Sequence, residues 1–374
     1  MTLSVIGGFF SELGTYSLQE NVQPQSSPTT TPPLGKKADG THSASISLSE
    51  NTKQASLLYQ SLINNLSASA MAVPELSAND IAGKQSKRID YELTLVTRDV
   101  YREQSLGIPG YERISDEELL KAGIDPDTLN DYSTGFQAGV YKHKGLYIVS
   151  FTGSNELQDF MTSINQGLGY KTKQYDQAIE LAHKSLKVFG ENIIFTGHSL
   201  GGGLATVAAL ATGKPAVIYN SAGVSDATLK NMGVSPQVAR EMADSGLIRH
   251  YTVQHDWLSN LQKKFPVPKP MGNTIELEYE FDWQNIWNAL PYKYGLHVFK
   301  AHFLEAVLEL MTQQKPWLNN GDAMLASTDD IDEEMLSLRE PSMQALAMDN
   351  PAVRTQFEDN YQQIISQRNK QRTV

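Results

Sequence analysis

Cysteine is absent from the 374 residues of this chain. Disulfide bonds and thiolate metal sites are therefore excluded, although the absence says little about the cellular compartment. Long apolar runs are also missing, and a transmembrane helix needs about 20 consecutive, mostly apolar residues. The length suffices for one large domain with appendages or for two domains, and we expect one.

Positive charge is scarce. Lysine and arginine number 31 against 42 aspartates and glutamates, which gives a formal net charge of -11 and a pI near 5.2. No Lys/Arg cluster offsets repulsion from phosphates, so the composition argues against a nucleic-acid partner. Membrane contact stays open, because the insertion of apolar side chains needs no net positive charge.

A cleavable export signal is not evident either. Residues 1–10 contain a short apolar patch but lack the basic region and the small-residue cleavage site of a Sec signal peptide. We therefore expect a protein that is either cytosolic or exported without cleavage.

Three regions differ in composition. Residues 1–80 are rich in Ser, Thr, Pro, Gln and Asn, which predicts a largely disordered region with one helix near residues 52–66. Such a region suits both a tail without function and a non-cleaved secretion or chaperone-binding segment. Residues 81–318 carry the periodic apolar pattern of a globular domain, and residues 319–374 are predicted to form an acidic, mostly helical tail.

Short apolar runs alternate with amphipathic segments in the central region. The β-rich runs at 133–141 and 146–151 predict a hairpin, with His143 as a solvated turn residue. Buried strands are predicted at 192–196, 216–220 and 246–254, with helices at 175–189 and after residue 200. Strands that alternate with helices form right-handed crossovers, so the predicted fold class is α/β with a mainly parallel, doubly wound sheet.

A G-x-S-x-G sequence links a predicted strand to the next helix at 197–201. In a nucleophile elbow Ser199 is strained, and the flanking Gly197 and Gly201 avoid collisions with the neighbouring strand and helix. A tight turn with an incidental serine is the alternative, which the strand before and the small apolar helix after disfavour. The sequence predicts Ser199 as nucleophile and the Leu200 amide as an oxyanion donor, with His198 pointing to the other side as a structural residue.

A serine nucleophile needs a base beside it and a carboxylate that orients the base. Asp256 follows the strand at 246–254, which brings it to the edge of the sheet where Ser199 is expected. A surface or capping carboxylate is the alternative for Asp256. His297 and His302 both follow Asp256 in the chain order of the α/β-hydrolases, so order alone leaves both open. His302 begins an amphipathic helix, whereas His297 lies in a β-like run.

These motifs resemble the class 3 lipases, and more narrowly their branch of bacterial secreted phospholipases A1. The resemblance covers about residues 95–311. It departs from the family pattern at Thr152, where arginine is usual, and after His302, where x-Met-Asp is usual. The segments that carry it are Phe-Thr-Gly-Ser at 151–154, Asp-Phe to Asn at 159–165, Thr-Gly-His-Ser-Leu-Gly-Gly at 196–202, Asp-Trp-Leu-Ser at 256–259 and His-Phe-Leu-Glu at 302–305.

The resemblance implies an α/β-hydrolase that uses neither a metal nor an organic cofactor. It implies Ser199, His302 and Asp256 as the triad, and the amide and hydroxyl of Ser154 with the Leu200 amide as the oxyanion hole. For Ser154 the alternative is a loop serine that only stabilises a turn.

The function that the resemblance implies is hydrolysis of glycerophospholipid acyl esters through an acyl-enzyme. A general carboxylesterase or triacylglycerol lipase is the alternative among enzymes, and a non-catalytic hydrolase-fold binding protein is the alternative outside them. Expected partners are a phospholipid membrane and a cognate inhibitor or secretion chaperone, with secretion from the cytoplasm without a cleaved Sec signal. Four aromatic residues favour a lid or interfacial patch over core packing: Trp283, Trp287, Tyr292 and Tyr294.

Overall fold

Residues 75–153, 172–281 and 291–320 are those that the computed structural model describes. The helix expected near residues 52–66 and the tail beyond residue 320 lie outside these ranges. The described strands are β1 Glu112–Arg113, β2 Asn130–Asp131, β3 Phe136–His143, β4 Leu146–Phe151, β5 Ile193–His198, β6 Ala216–Tyr219, β7 Ile248–Val253 and β8 Asn273–Leu277. The described α-helices are α1 Ala78–Ile81, α2 Arg88–Asp99, α3 Asp116–Ala122, α4 Thr172–Phe189, α5 Leu200–Thr212, α6 Asp226–Asn231, α7 Pro236–Met242, α8 Trp257–Lys264, α9 Pro291–Lys300 and α10 Leu304–Gln314.

The strands form one sheet in the order β1-β3-β4-β5-β6-β7-β8, with β2 paired to β3. Neighbours from β4 to β8 are parallel, whereas β1, β2 and β4 all pair with β3 in the antiparallel sense. The predicted mainly parallel α/β sheet and the hairpin at its start are confirmed. β8 was not predicted, because its half-exposed Asn-Thr-Ile-Glu-Leu sequence follows a proline-rich loop and lacks the apolar run of a buried strand.

Helices cover both faces of this sheet. Because the strand order follows the chain from β3 to β8, right-handed crossovers place α4 and α5 on the same face, where they pack together. The other face is covered by α2 and α10, which also contact each other. Each face therefore has its own apolar layer, centred on Phe195 and Ala205 on one side and on Ile194 and Val307 on the other. None of the described helices is long and apolar enough to cross a membrane.

The hairpin corrects one prediction. His143 is not a solvated turn residue, because β3 continues through it and Lys144 and Gly145, both with positive φ, form the turn. Its ring stacks on Tyr111 with the centroids 4.0 Å apart, and its Nδ1 lies 2.7 Å from the carbonyl oxygen of Gly110. Burial lowers the pKa of His143, which favours the neutral ring. This neutral ring contributes to packing against Tyr111.

Folded structure begins before the expected boundary at residue 80. The Ser77 side chain caps α1, and the Asp80 carboxylate accepts from the Ser77 amide in a capping box. Asn192 joins this segment to the sheet by accepting from the Ala78 amide at 2.6 Å and donating to the Leu76 carbonyl at 2.8 Å. The predicted boundary at residue 80 thus falls inside α1. Polar composition alone does not distinguish residues that cap a helix from residues of a disordered segment.

A buried ion pair ties the same region to β7. Arg249 donates from Nε and Nη2 to both carboxylate oxygens of Asp90, at 3.0 and 2.6 Å, and both side chains are buried. Its Nη1 also donates to the carbonyls of Ile81 and Gly83, and the Tyr251 hydroxyl donates to Asp90 at 2.7 Å. The pair is hydrogen-bonded on all sides, which is the condition under which a buried ion pair is tolerated.

We expect Arg249→Met to lower the free energy of unfolding by about 3–5 kcal/mol, because the Asp90 carboxylate then stays buried without its partner. Urea denaturation followed by circular dichroism measures this loss. The double variant Arg249→Met, Asp90→Asn is expected to recover part of it, since no uncompensated charge remains. A double variant less stable than the single one would contradict this explanation.

Candidate active site

The strand-to-helix turn at Ser199 has a strained backbone. Ser199 has φ 56° and ψ −124°, a region that residues other than glycine rarely occupy. A Cβ atom at Gly197 would collide with the carbonyl of Gly201, and one at Gly201 would collide with the carbonyl of Phe151. The two glycines therefore let α5 approach the ends of β4 and β5 closely. The Ser199 carbonyl accepts from the Ala222 amide at 2.8 Å, which fixes the turn from the side of β6.

His302 lies between α9 and α10 and faces the serine. Its Nε2 is 3.0 Å from the Ser199 Oγ, and its Nδ1 is 2.7 Å from the Asp256 Oδ1. Donation from Nδ1 to the carboxylate leaves the Nε2 lone pair free to accept the serine proton. Trp257 packs against the imidazole with ring centroids 5.0 Å apart. The structure thus brings together three residues that are far apart in the chain.

Asp256 is fully buried at the start of α8. Its Oδ2 accepts from the amide and hydroxyl of Ser259 at 2.8 and 2.6 Å, and its Oδ1 accepts from the Leu258 amide at 3.3 Å. Burial alone would raise the pKa of Asp256, but His302 and the Ser259 hydrogen bonds outweigh it and hold the pKa below its ordinary value. The two roles predicted for Asp256, capping a helix and orienting the histidine, are therefore compatible, because the same carboxylate caps α8 and accepts from His302.

Two buried side chains fix the backbone at His302. His198 donates from Nε2 to the His302 carbonyl at 2.7 Å, so it is a structural residue as predicted, although it contacts the His302 backbone and does not point away from the site. Asn220 donates to the same carbonyl at 3.0 Å and to that of Ala301 at 2.9 Å, while its Oδ1 accepts from the Val253 amide at 2.9 Å. Burial, with a smaller contribution from the His302 ring, lowers the pKa of His198 to about 3, so His198 is neutral.

The predicted oxyanion hole is described in part. The Leu200 amide opens α5, and it donates to no backbone carbonyl within residues 75–153, 172–281 and 291–320. Ser154 lies outside the described residues. The chain that leads to it passes the elbow, since a Cβ at Gly153 would lie 3.1 Å from the Cβ of Ser199. The Gly153 amide donates to the Tyr101 hydroxyl at 2.6 Å, which anchors this segment to the end of α2.

We expect Tyr101→Phe to lower kcat roughly tenfold with little change in KM, because loss of the hydroxyl removes about one hydrogen bond from the Gly153 amide. The Tyr101 hydroxyl also lies 3.4 Å from the Nδ1 of His198, so the substitution removes a contact from Gly153 and from His198, both next to Ser199. Steady-state kinetics on a soluble ester measure the effect. Tyr111→Phe is the matched control, because the Tyr111 hydroxyl donates to Glu92 of α2 at 2.6 Å and not to the segment beside Ser199. Equal losses in both variants would contradict a role specific to the site.

His297 occupies a different position. It lies in α9, not in a β-like run, because Pro291 opens a helix in which proline is tolerated at the first position. Its ring stacks on Tyr279 with centroids 4.2 Å apart and lies 5.0 Å from Phe281 and 5.3 Å from His255. Burial lowers the pKa of His297 to about 4, so it is a neutral member of this ring cluster.

The predicted interfacial aromatics are only partly visible. Trp283 and Trp287 lie outside the described residues, and Tyr292 is placed in α9 without a described side chain. Tyr294 is half-buried, with its hydroxyl 3.4 Å from the Nδ1 of His255, so it belongs to the same ring cluster. The proposed lid or patch therefore stays a prediction for the first three residues.

Comparison with known proteins assigns the chain to a family. A profile for the Tle-like phospholipase domain matches residues 92–278, from within α2 to the end of β8. An extracellular phospholipase A1 of Serratia liquefaciens is 39% identical over 273 residues, which is 72% of this chain and 84% of that protein. The chain belongs to the Tle-like phospholipase family. The profile covers the elbow and Asp256 but ends before His302. For this phospholipase-family chain, the choice of His302 as the candidate base therefore depends on the geometry described above.

Two fungal structures are also similar at lower identity. A mutant form of MDLA from Penicillium cyclopium is 15% identical, with 57% of this chain and 93% of that chain covered at a TM-score of 0.36. A Rhizomucor miehei lipase in complex with its propeptide is 13% identical, with 46% and 73% covered at a TM-score of 0.31. At such TM-scores neither likeness adds to what the strand order and the elbow establish for this phospholipase-family chain.

Proposed function

We propose that this chain is a phospholipase A1, a serine hydrolase that cleaves the sn-1 acyl ester of glycerophospholipids. The observation that carries the chemistry is the hydrogen-bonded series from Ser199 through His302 to Asp256 at a strained elbow. The substrate class follows from membership of the phospholipase family and from the Serratia relative, whose name states that activity.

Acylation begins when the Ser199 Oγ attacks the ester carbonyl carbon. The Nε2 of His302 accepts the hydroxyl proton, and the Asp256 carboxylate stabilises the imidazolium. The negative charge on the carbonyl oxygen is met by the Leu200 amide at the start of α5, together with the amide and hydroxyl proposed for Ser154. The tetrahedral intermediate then expels the lysophospholipid alkoxide, which takes the proton from His302, and the acyl group stays on Ser199.

Deacylation repeats these steps with water. His302 accepts a proton from the water molecule, the resulting hydroxide attacks the acyl carbonyl, and Ser199 leaves with the proton that His302 returns. The fatty acid is the second product, so the kinetics are of the ping-pong type. Both half-reactions use the three triad side chains, the oxyanion donors of Leu200 and Ser154, and water.

Product analysis tests the function. Phosphatidylcholine with palmitate at sn-1 and oleate at sn-2 is incubated with the protein, and products at short times are identified by mass spectrometry. We expect free palmitate and 2-oleoyl lysophosphatidylcholine, with no products from Ser199→Ala. Early release of oleate would contradict the positional assignment. Hydrolysis of triolein or a soluble ester without phospholipid cleavage would favour a general lipase or esterase.

The proposal extends to where the protein acts and to its regions. The Serratia relative is named as extracellular, and we propose secretion for this chain by a route that does not depend on a cleaved Sec signal. A cognate inhibitor or secretion chaperone is proposed as a further partner. We also propose that the region predicted at residues 1–80 serves export and that residues 319–374 form an acidic, peripheral tail.

A further inference from the structure

Tyr132 is almost fully exposed to solvent. Its exposed fraction is 95%, the highest among the large apolar side chains that are exposed in the described residues. It lies between β2 and β3, in a turn that pairs Asp131 with Phe136. Single exposed apolar residues are common on protein surfaces, so exposure alone says nothing about function.

Side-chain hydrogen bonds hold the turn that presents Tyr132. The Asp131 carboxylate accepts from the amide and hydroxyl of Ser133 at 2.9 and 2.5 Å, from the Gln177 Nε2 at 2.8 Å and from the Lys173 Nζ at 3.2 Å. The Ser133 hydroxyl foremost, then the other donors, lower the pKa of Asp131, so it stays ionised and paired with Lys173. A tyrosine on a preorganised turn loses little backbone entropy when it contacts another surface.

The sheet register places this turn on the edge that holds the active site. Ala138 of β3 pairs with Phe151 at the end of β4, and Phe151 pairs with Gly197 near the end of β5. Because β3 is antiparallel to β4, the residues before β3 lie at the edge where β4 and β5 end. Tyr132 therefore projects from the same edge of the sheet as Ser199.

We propose that Tyr132 is an interfacial anchor that docks the Ser199 edge of the sheet on a zwitterionic phospholipid surface. A tyrosine ring is apolar with a polar tip, which suits the boundary between acyl chains and head groups. The formal net charge of -11 disfavours an anionic surface, which makes a phosphatidylcholine bilayer the expected occupant. The inference rests on the proposed phospholipase function and adds the part of the surface that meets the lipid.

The absence of cysteine allows a direct test of contact. In a Ser199→Ala background, which prevents lipid hydrolysis, Tyr132→Cys is labelled with an environment-sensitive fluorophore and mixed with phosphatidylcholine vesicles. Val238→Cys is the matched control, because Val238 is 46% exposed on α7, which leads to the opposite, amino end of β7. We expect a blue shift at residue 132 and none at residue 238. No shift at residue 132, or equal shifts at both, would overturn the proposal.

A second measurement separates docking from catalysis. In the Ser199→Ala background, Tyr132→Ser is expected to weaken vesicle binding roughly fivefold, and Tyr132→Trp is expected to keep or strengthen it, because both aromatic rings prefer the interface. With Ser199 intact, Tyr132→Ser should lose vesicle hydrolysis in proportion while keeping soluble-ester hydrolysis. Vesicle binding that is unchanged in Tyr132→Ser would overturn the anchor. It would also be overturned if sedimentation showed that Tyr132 joins two copies of the chain and that Tyr132→Ser separates them without weakening lipid binding. Failure of the unaltered protein to cleave any ester would instead overturn the proposed function.

Discussion

Replacing Ser199 by alanine is expected to leave less than about a thousandth of the wild-type rate, because the attacking oxygen is removed and oxyanion donors alone provide little catalysis. The change deletes the hydrogen bond between Ser199 and His302 at 3.0 Å and leaves the glycines of the elbow in place. The fold should therefore persist, with a melting temperature close to that of the wild type, since alanine fits the same backbone conformation and removes no packed carbon atom. Rates on phosphatidylcholine and on a soluble ester, with a thermal melt, measure both parts.

A Gly201→Ala variant gives the contrasting case. Its Cβ would collide with the Phe151 carbonyl, so this variant is expected to lose folded protein as well as activity. A folded Ser199→Ala variant that keeps more than the stated activity would refute the nucleophile assignment, whatever the behaviour of Gly201→Ala.

Replacing His302 is expected to be nearly as damaging, whereas replacing His297 is not. His302→Gln should lower kcat by about 10⁴-fold or more, because neither proton transfer nor charge stabilisation by Asp256 remains. His297→Gln should keep kcat within about tenfold of the wild-type value. His297 stacks on Tyr279 in a ring cluster, and a change in this cluster shifts Asp256 only indirectly. The variants are compared at equal folding by circular dichroism.

The pair of variants settles a choice that the chain order left open. If His297→Gln removed turnover and His302→Gln spared it, the arrangement of α9 and α10 around the site would be wrong. If both variants lost turnover and also had lowered melting temperatures, the measurement would be repeated with His302→Asn. Asparagine retains a polar side chain beside Asp256. Recovery of folding without recovery of activity would again assign the base role to His302.

The elbow could be predicted from the sequence because its requirements are local. Ser199 needs a strained turn, and the glycines that permit the turn stand within two residues of it in the chain. The strand before and the helix after are recognised by their apolar patterns alone. The mainly parallel sheet follows from the same patterns, since alternating strands and helices admit few topologies.

The surroundings of His302 depend on contacts that local patterns do not contain. His198 and Asn220 meet the His302 carbonyl across more than 80 positions of the chain. A signal for Asn220 existed, because a polar residue that ends a buried strand at the active edge of a parallel sheet is a candidate for the site. His198 was predicted as a structural residue, but its contact with the His302 carbonyl was not, since a position next to Ser199 does not indicate which distant backbone groups the side chain meets.

The strand-like interpretation of His297 failed for a related reason. A short apolar run has the same composition in a strand and in a buried helix, and only length and flanking residues separate them. Here Pro291 was the signal, because proline opens helices more often than it continues strands.

Covalent labelling tests the central claim most directly. A fluorophosphonate reacts with an activated serine and leaves a stable phosphonyl ester, which peptide mapping by mass spectrometry locates. We expect a single modification on Ser199, lost when the protein carries His302→Gln or Asp256→Asn, because the hydroxyl is then no longer activated. Complete loss of phospholipid hydrolysis upon modification of a different residue, with Ser199 unmodified, would contradict this account.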